Sequence, residues 1–118
     1  MLEVTFYRDG EDRLSGLFAR GHADFGDHGE DIVCAAVSAI LQAADLGLKE
    51  HARAALESRK SPGELELRWG AGERDREGVQ AIAATAELAV EQIARRYPEH
   101  VRIKRVREAA DRRRADDV

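Results

Sequence analysis

The stretch Gly21–Gly47, GHADFGDHGEDIVCAAVSAILQAADLG, runs from a glycine-rich acidic loop straight into an almost wholly apolar segment. Residues 23–30 combine Gly26 and Gly29 with Asp24 and Asp27 and have no apolar periodicity, which predicts a mobile surface loop able to act as a lid. Asp31, or Glu30 just before it, is placed to cap a helix that continues to Leu46, with Gly47 as its breaker. At 3.6 residues per turn, Asp31, Cys34, Ser38, Gln42, Asp45 and Lys49 form one narrow polar stripe. Ile32, Val33, Val37, Ile40, Leu41, Ala43, Ala44 and Leu48 fill the rest of the helix.

Upstream of this stretch, Leu2, Val4 and Phe6 alternate with Glu3, Thr5 and Tyr7, the period of a strand buried on one face. Asp9-Gly10 supplies hairpin turn chemistry, and residues 13–21 read as the returning strand, with Leu14, Gly16 and Phe18 on one face. Gly16 marks a bulge or a close approach. This second strand delivers His22 at its end.

Downstream, residues 51–60 have strand length, and Ser61-Pro62-Gly63 turns into a clean strand over 64–69 with Leu65, Leu67 and Trp69 inward. Residues 70–78 read as a charged connector. Val79, Ile82, Ala83, Ala86, Val90, Ile93 and Tyr97 then recur at helical spacing up to Pro98, with Glu87, Glu91 and Arg95 on the exposed side. Residues 100–106 alternate as a last strand. The order β-β-α-β-β-α-β predicts an α+β fold: a single twisted sheet of about five strands, largely antiparallel or mixed, with two packed helices. Residues 1–106 form one domain on this reading, and 107–118 a charged, disordered C-terminal tail.

Composition narrows the function classes. A chain of 118 residues with 43% hydrophobic content suits one packed domain. Nineteen basic against twenty-three acidic residues give a net charge of −4, so direct nucleic-acid binding is disfavoured. The late cluster of arginines between Arg102 and Arg114 is interleaved with acids and reads as a solvated tail. One cysteine excludes an internal disulfide and fits a reducing compartment. There is no signal-like N-terminus and no uninterrupted apolar run of membrane-spanning length, so a soluble cytoplasmic protein without a membrane partner is expected.

The chemistry centres on Cys34. Taken alone, a cysteine in a packed helix is an inert thiol. Here it sits on the polar stripe near a helix N-terminus, where partial positive charge favours thiolate, and a histidine twelve positions away can serve as base. His22, fixed by a strand end, is preferred to His28, which lies between Asp27 and Gly29 in the loop; His51 and His100 have no local partner. Asp31 serves as cap or as the group orienting the histidine. Ser38, one turn beyond Cys34, is a helix-bonded filler or part of the pocket floor. A rival reading makes His22, Asp24, Asp27, His28 and Asp31 metal ligands, but the spacing matches no closed metal motif, so no metal or cofactor is expected.

Gly21-His22-Ala23 followed by Asp31-Ile32-Val33-Cys34-Ala35-Ala36-Val37-Ser38 resembles the ribosomal-processing cysteine protease family, often called Prp, and the resemblance extends over nearly the whole chain. It implies a Cys-His endopeptidase with Cys34 as nucleophile and His22 as general base, and gives Asp31, Ser38, Gly21 and Ala23 supporting or substrate-binding roles. It also implies a metal-free homodimer whose substrate is the N-terminal extension of the large-subunit ribosomal protein L-twenty-seven. The competing expectation is a non-catalytic dimeric module that binds a ribosomal protein or assembly intermediate.

Overall fold

The computed structural model describes residues 1–21 and 28–108, the side chains of 28–31 excepted. Its strands are β1 (Leu2–Arg8), β2 (Leu14–Arg20), β3 (Leu56–Ser61), β4 (Glu64–Trp69) and β5 (Val101–Arg107), and its helices are α1 (His28–Leu46), α2 (Ala71–Arg74) and α3 (Glu77–Arg96). They build one five-stranded sheet in the order β3-β4-β2-β1-β5. Only the β1–β5 pair is parallel; the other three pairings are antiparallel. The expected α+β architecture with a mixed sheet is what the chain adopts.

The alternating residues of β1 and β4 behave as their period demands, with Leu2, Val4, Phe6, Leu65, Leu67 and Trp69 all buried. They meet Val33, Val37, Leu41 and Leu48 from α1 and its extension, and Val79, Ala83 and Val90 from α3, in a single core. Each such aliphatic side chain contributes roughly 1.5–3 kcal/mol through burial.

The expected inward face of β2 needs correction. Pairing shifts between Tyr7 and Arg8, so that Gly16 opposes Tyr7 while Leu14 opposes Arg8. This bulge breaks the alternation, and Leu17 and Ala19 join Leu14 in the core instead of Phe18. Gln80 of α3 stitches the disturbed backbone: its Oε1 accepts from the Leu14 N–H at 2.9 Å and its Nε2 donates to the Leu14 carbonyl at 2.8 Å. Gly16 also makes the close approach, because a Cβ there would lie 2.7 Å from Arg68 Cδ and from the Leu67 carbonyl oxygen. Arg68 crosses that gap to lie 3.9 Å above the Tyr7 ring.

Several boundaries differ from expectation. Gly47 does not end the helix; a wide π-type turn continues over Gly47–His51, with Leu48 buried and the Ala52 N–H bonded to the Gly47 carbonyl at 2.9 Å. The third strand consequently starts at Leu56 instead of His51. The 70–78 connector contains the single turn α2, whose Arg74 is buried and bonds the Trp69 carbonyl at 3.2 Å. At the other end, β5 includes Arg107, and Glu108 still belongs to the fold: its N–H bonds the Arg8 carbonyl at 2.8 Å and its carboxylate accepts from Arg68 at 2.5 Å.

Glu87 was expected on the exposed face of α3, yet it is only 4% exposed. The cause is the two arginines that the strands carry under the helix. Arg8 donates to both Glu87 oxygens at 2.7 and 2.8 Å, and Arg105 adds a bond at 2.9 Å. Burial alone pushes the Glu87 carboxyl upward, but the bonds from Arg8 and Arg105 outweigh it and hold the group below its ordinary 4.5. A depressed folded-state value means a contribution that is complete above the ordinary carboxylate range and lost as pH falls through the folded value. Glu87→Gln is therefore expected to lower unfolding free energy by about 2 kcal/mol at neutral pH, the cost of a partly solvated arginine pair left without its carboxylate. Urea titrations at pH 7 and pH 3 check this, and the gap between wild type and variant should narrow at the lower pH.

Candidate active site

Cys34 is half-buried and packs against the core from the flank of α1. The three faces of that helix have separate surroundings. Val33, Val37, Leu41 and Ala44 are buried, while Ile32, Ala36, Ala39, Ala43 and Leu46 face outward. Cys34, Ser38 and Gln42 lie between, along one side of a cleft of about 500 Å³. The middle of the predicted polar stripe is thus part of the cleft wall, although the apolar remainder is not all core: Ile32 and Leu46 are 57% and 62% exposed.

Opposite this wall stands the β3–β4 hairpin, which contributes Lys60, Ser61, Pro62, Gly63 and Glu64. Leu2, Ala19, Val37, Leu41 and Leu65 give the cleft an apolar lining. Gln42 donates through Nε2 to Ser38 Oγ at 2.8 Å. Deeper on the same stripe, Asp45 is buried, with Lys49 Nζ at 3.0 Å and Lys60 Nζ at 4.0 Å from its oxygens. Lys60 of the hairpin is thereby tethered loosely to α1.

Gly21 closes one end of the cleft and lines it together with Cys34. Its φ of 91° is left-handed, and its N–H bonds the Gly63 carbonyl at 3.0 Å. Gly63 itself has a φ of 79°, which with Pro62 before it matches a type II turn. The hairpin tip therefore holds Gly21, the last residue before position 22, in place. A side chain at 21 would be doubly penalised, because a Cβ would meet the Met1 carbonyl oxygen at 2.5 Å.

His22, Ala23, the predicted lid and the rival metal ligands Asp24 and Asp27 lie outside the described residues, as do the side chains of His28 and Asp31. The other histidines are elsewhere: His51 ends the π-type turn, and His100 is tilted against the Tyr97 ring at 6.5 Å. Because α1 starts at His28, ahead of the expected cap at Asp31 or Glu30, Cys34 is in its second turn. The favourable field of a helix terminus fades within one turn, so activation of this thiol depends more on a base than the sequence implied. The hairpin residues of the cleft were not foreseen, since nothing in a turn's sequence says which helix it will face.

The family model for the cysteine protease Prp matches residues 1–102 of this chain. The chain belongs to the Prp family. Membership makes it one of a family of cysteine proteases, hydrolases of peptide bonds, and the match includes Gly21, Cys34 and both walls of the cleft. No curated protein matches it. Among solved structures it is similar to SMU.848 from Streptococcus mutans, at 28% identity and a TM-score of 0.79, covering 92% of this chain and 99% of that one. The same fold occurs in an essential ribosomal processing protease Prp from S. aureus, solved with a substrate peptide, at 24% identity and a TM-score of 0.80 over 89% of this chain and 99% of that one. That protease was also solved with a covalently linked product peptide, and there the TM-score is 0.79.

Gly21→Ala is expected to cost about 1–3 kcal/mol of unfolding free energy, from the left-handed backbone and the contact with Met1 together. Chemical denaturation beside Gly70→Ala, where a Cβ meets nothing within 4 Å, separates this from a generic glycine effect.

Proposed function

We propose that the protein is a Cys-His endopeptidase that removes the N-terminal extension of the ribosomal protein L-twenty-seven in the cytoplasm and so supports ribosome maturation. One observation carries this reading: Gly21, the residue before His22, lines the same cleft as Cys34, so strand end and helix flank converge on one space of about 500 Å³. The S. aureus protease of the same fold holds a peptide.

In the proposed mechanism His22 takes the proton of the Cys34 thiol, and the thiolate attacks the scissile carbonyl carbon. Backbone N–H groups near the helix start stabilise the resulting oxyanion. Collapse of this intermediate expels the amine, which takes the proton from His22, and leaves an acyl-thioester on Cys34. Water, deprotonated by His22, then hydrolyses the thioester and returns the thiol. Asp31 orients the histidine, Gly21 and Ala23 position it, and Ser38 contacts the substrate. No metal and no nucleic acid take part.

A peptide copying the extension should be cut once by the wild type, with Cys34→Ala and His22→Ala each reducing the rate by at least about a thousandfold, as loss of either member of such a pair does. Mass spectrometry of the products reads the result. Cleavage surviving Cys34→Ala would sink the proposed Cys34 mechanism, whereas binding of the peptide by the wild type without cleavage would favour the binding-module alternative.

We also propose a homodimer joined through the outward face of α1. Ile32, Ala39, Ala43 and Leu46 are apolar and exposed on one side of the helix, and their small middle residues permit close approach of a second identical helix. Light scattering should give twice the chain mass for the wild type and the chain mass for Ala39→Glu. An unchanged mass in the variant removes this face from consideration.

A further inference from the structure

We infer that Gln42 is a substrate-binding residue of the cleft, holding the main chain of an extended peptide at a point about four residues from the bond that Cys34 attacks; this rests on the peptidase reading. Cys34, Ser38 and Gln42 follow one another at intervals of four along α1 and all line the cleft. One such interval advances about 6 Å along a helix. Two residues of an extended peptide advance about 6.6 Å. The two repeats stay in step over this distance, so a peptide lying along α1 with its reacting carbonyl at Cys34 presents equivalent main-chain groups at Ser38 and again at Gln42.

The chemistry of the pair suits that task. Ser38 Oγ accepts the Gln42 Nε2 bond at 2.8 Å, which fixes the amide against the helix. A hydroxyl that accepts keeps its own proton to donate, and the fixed amide keeps Oε1 as an acceptor. A main-chain carbonyl and a main-chain N–H of the peptide are the matching partners. The opposite wall carries the charged groups of Lys60 and Glu64, whereas Leu2, Val37 and Leu65 line the cleft with apolar surface. The peptide therefore finds polar partners along its main chain and apolar ones for the side chains it turns inward.

Gln42 is exposed and alanine favours helix, so Gln42→Ala leaves the fold intact. The test measures binding of the fluorescein-labelled L-twenty-seven extension peptide to the Cys34→Ala protein, with and without Gln42→Ala, by anisotropy. Peptides shortened stepwise from each end accompany it. The expected result is a Kd about fivefold weaker with Gln42→Ala, the size of one neutral hydrogen bond. In one of the two shortening series that difference should vanish once the fourth residue from the scissile bond is gone. In the cleaving protein the same substitution should raise KM and leave kcat within about twofold. Equal affinities with and without Gln42, or a difference that persists on every shortened peptide, overturns the inference while cleavage by the wild type leaves the peptidase reading intact. Cleavage that survives Cys34→Ala overturns the peptidase reading whatever Gln42 does.

Discussion

The rotation of α1 about its own axis is the constraint on which the candidate site depends. It is set by burial: Val33, Val37 and Leu41 take one side of the helix onto the sheet, and Leu48 in the π-type turn extends that contact. Transfer of these side chains out of water supplies several kcal/mol, far more than any single polar contact of the cleft. Once that face is committed, Cys34, Ser38 and Gln42 can only look sideways toward the β3–β4 hairpin, and the alanine-rich side can only look outward. The cleft is a by-product of core packing, which makes its wall rigid without a dedicated network of bonds.

Charge is handled by different means in different places. Over the ends of β1 and β5, buried Glu87 is surrounded by two arginines and stays ionised. At the first hairpin, fully buried Asp9 is pushed upward by desolvation but held below its ordinary value by bonds from Arg13 and from the backbone N–H groups of Arg13 and Glu11. Along the cleft the charges of Lys60 and Glu64 are instead left beside solvent. The buried carboxylates of Glu87 and Asp9 are saturated by their partners, whereas the groups facing the cleft retain bonding capacity for something else.

How much of this was legible in the sequence depended on whether a residue's surroundings were local. The strands 2–7 and 64–69 and the helix ending before Pro98 follow from periodicity and turn chemistry, which act within a few residues. Leu17 and Ala19 escaped because a bulge opposite Tyr7 and Arg8 decides which face of β2 turns inward, and that bulge is completed by Gln80 from a distant helix. Glu87 escaped for the same reason, since its burial is caused by Arg8, 79 positions away. Cys34 was recognisable from the polar stripe, and Gly21 from its motif. The helix start at His28 and the continuation past Gly47 were not, because neither boundary carries a side-chain signal strong enough to override neighbouring propensity. The hairpin wall is a tertiary fact with no local trace.

The register of β1 against β5 places Leu2 beside Val101 and Val4 beside Ile103, so the second residue of the chain finds its parallel neighbour almost a hundred positions later. Leu2 also lines the cleft. During synthesis from the N-terminus, β1 can pair early with β2 but remains an open edge until the last strand emerges, and closing so long a loop is among the slower steps of folding. Docking of β5 therefore supports, through the Leu2–Val101 pairing, the part of the cleft lining that Leu2 supplies, so loosening of this edge strand would be felt in the cleft although no residue of β5 lines it.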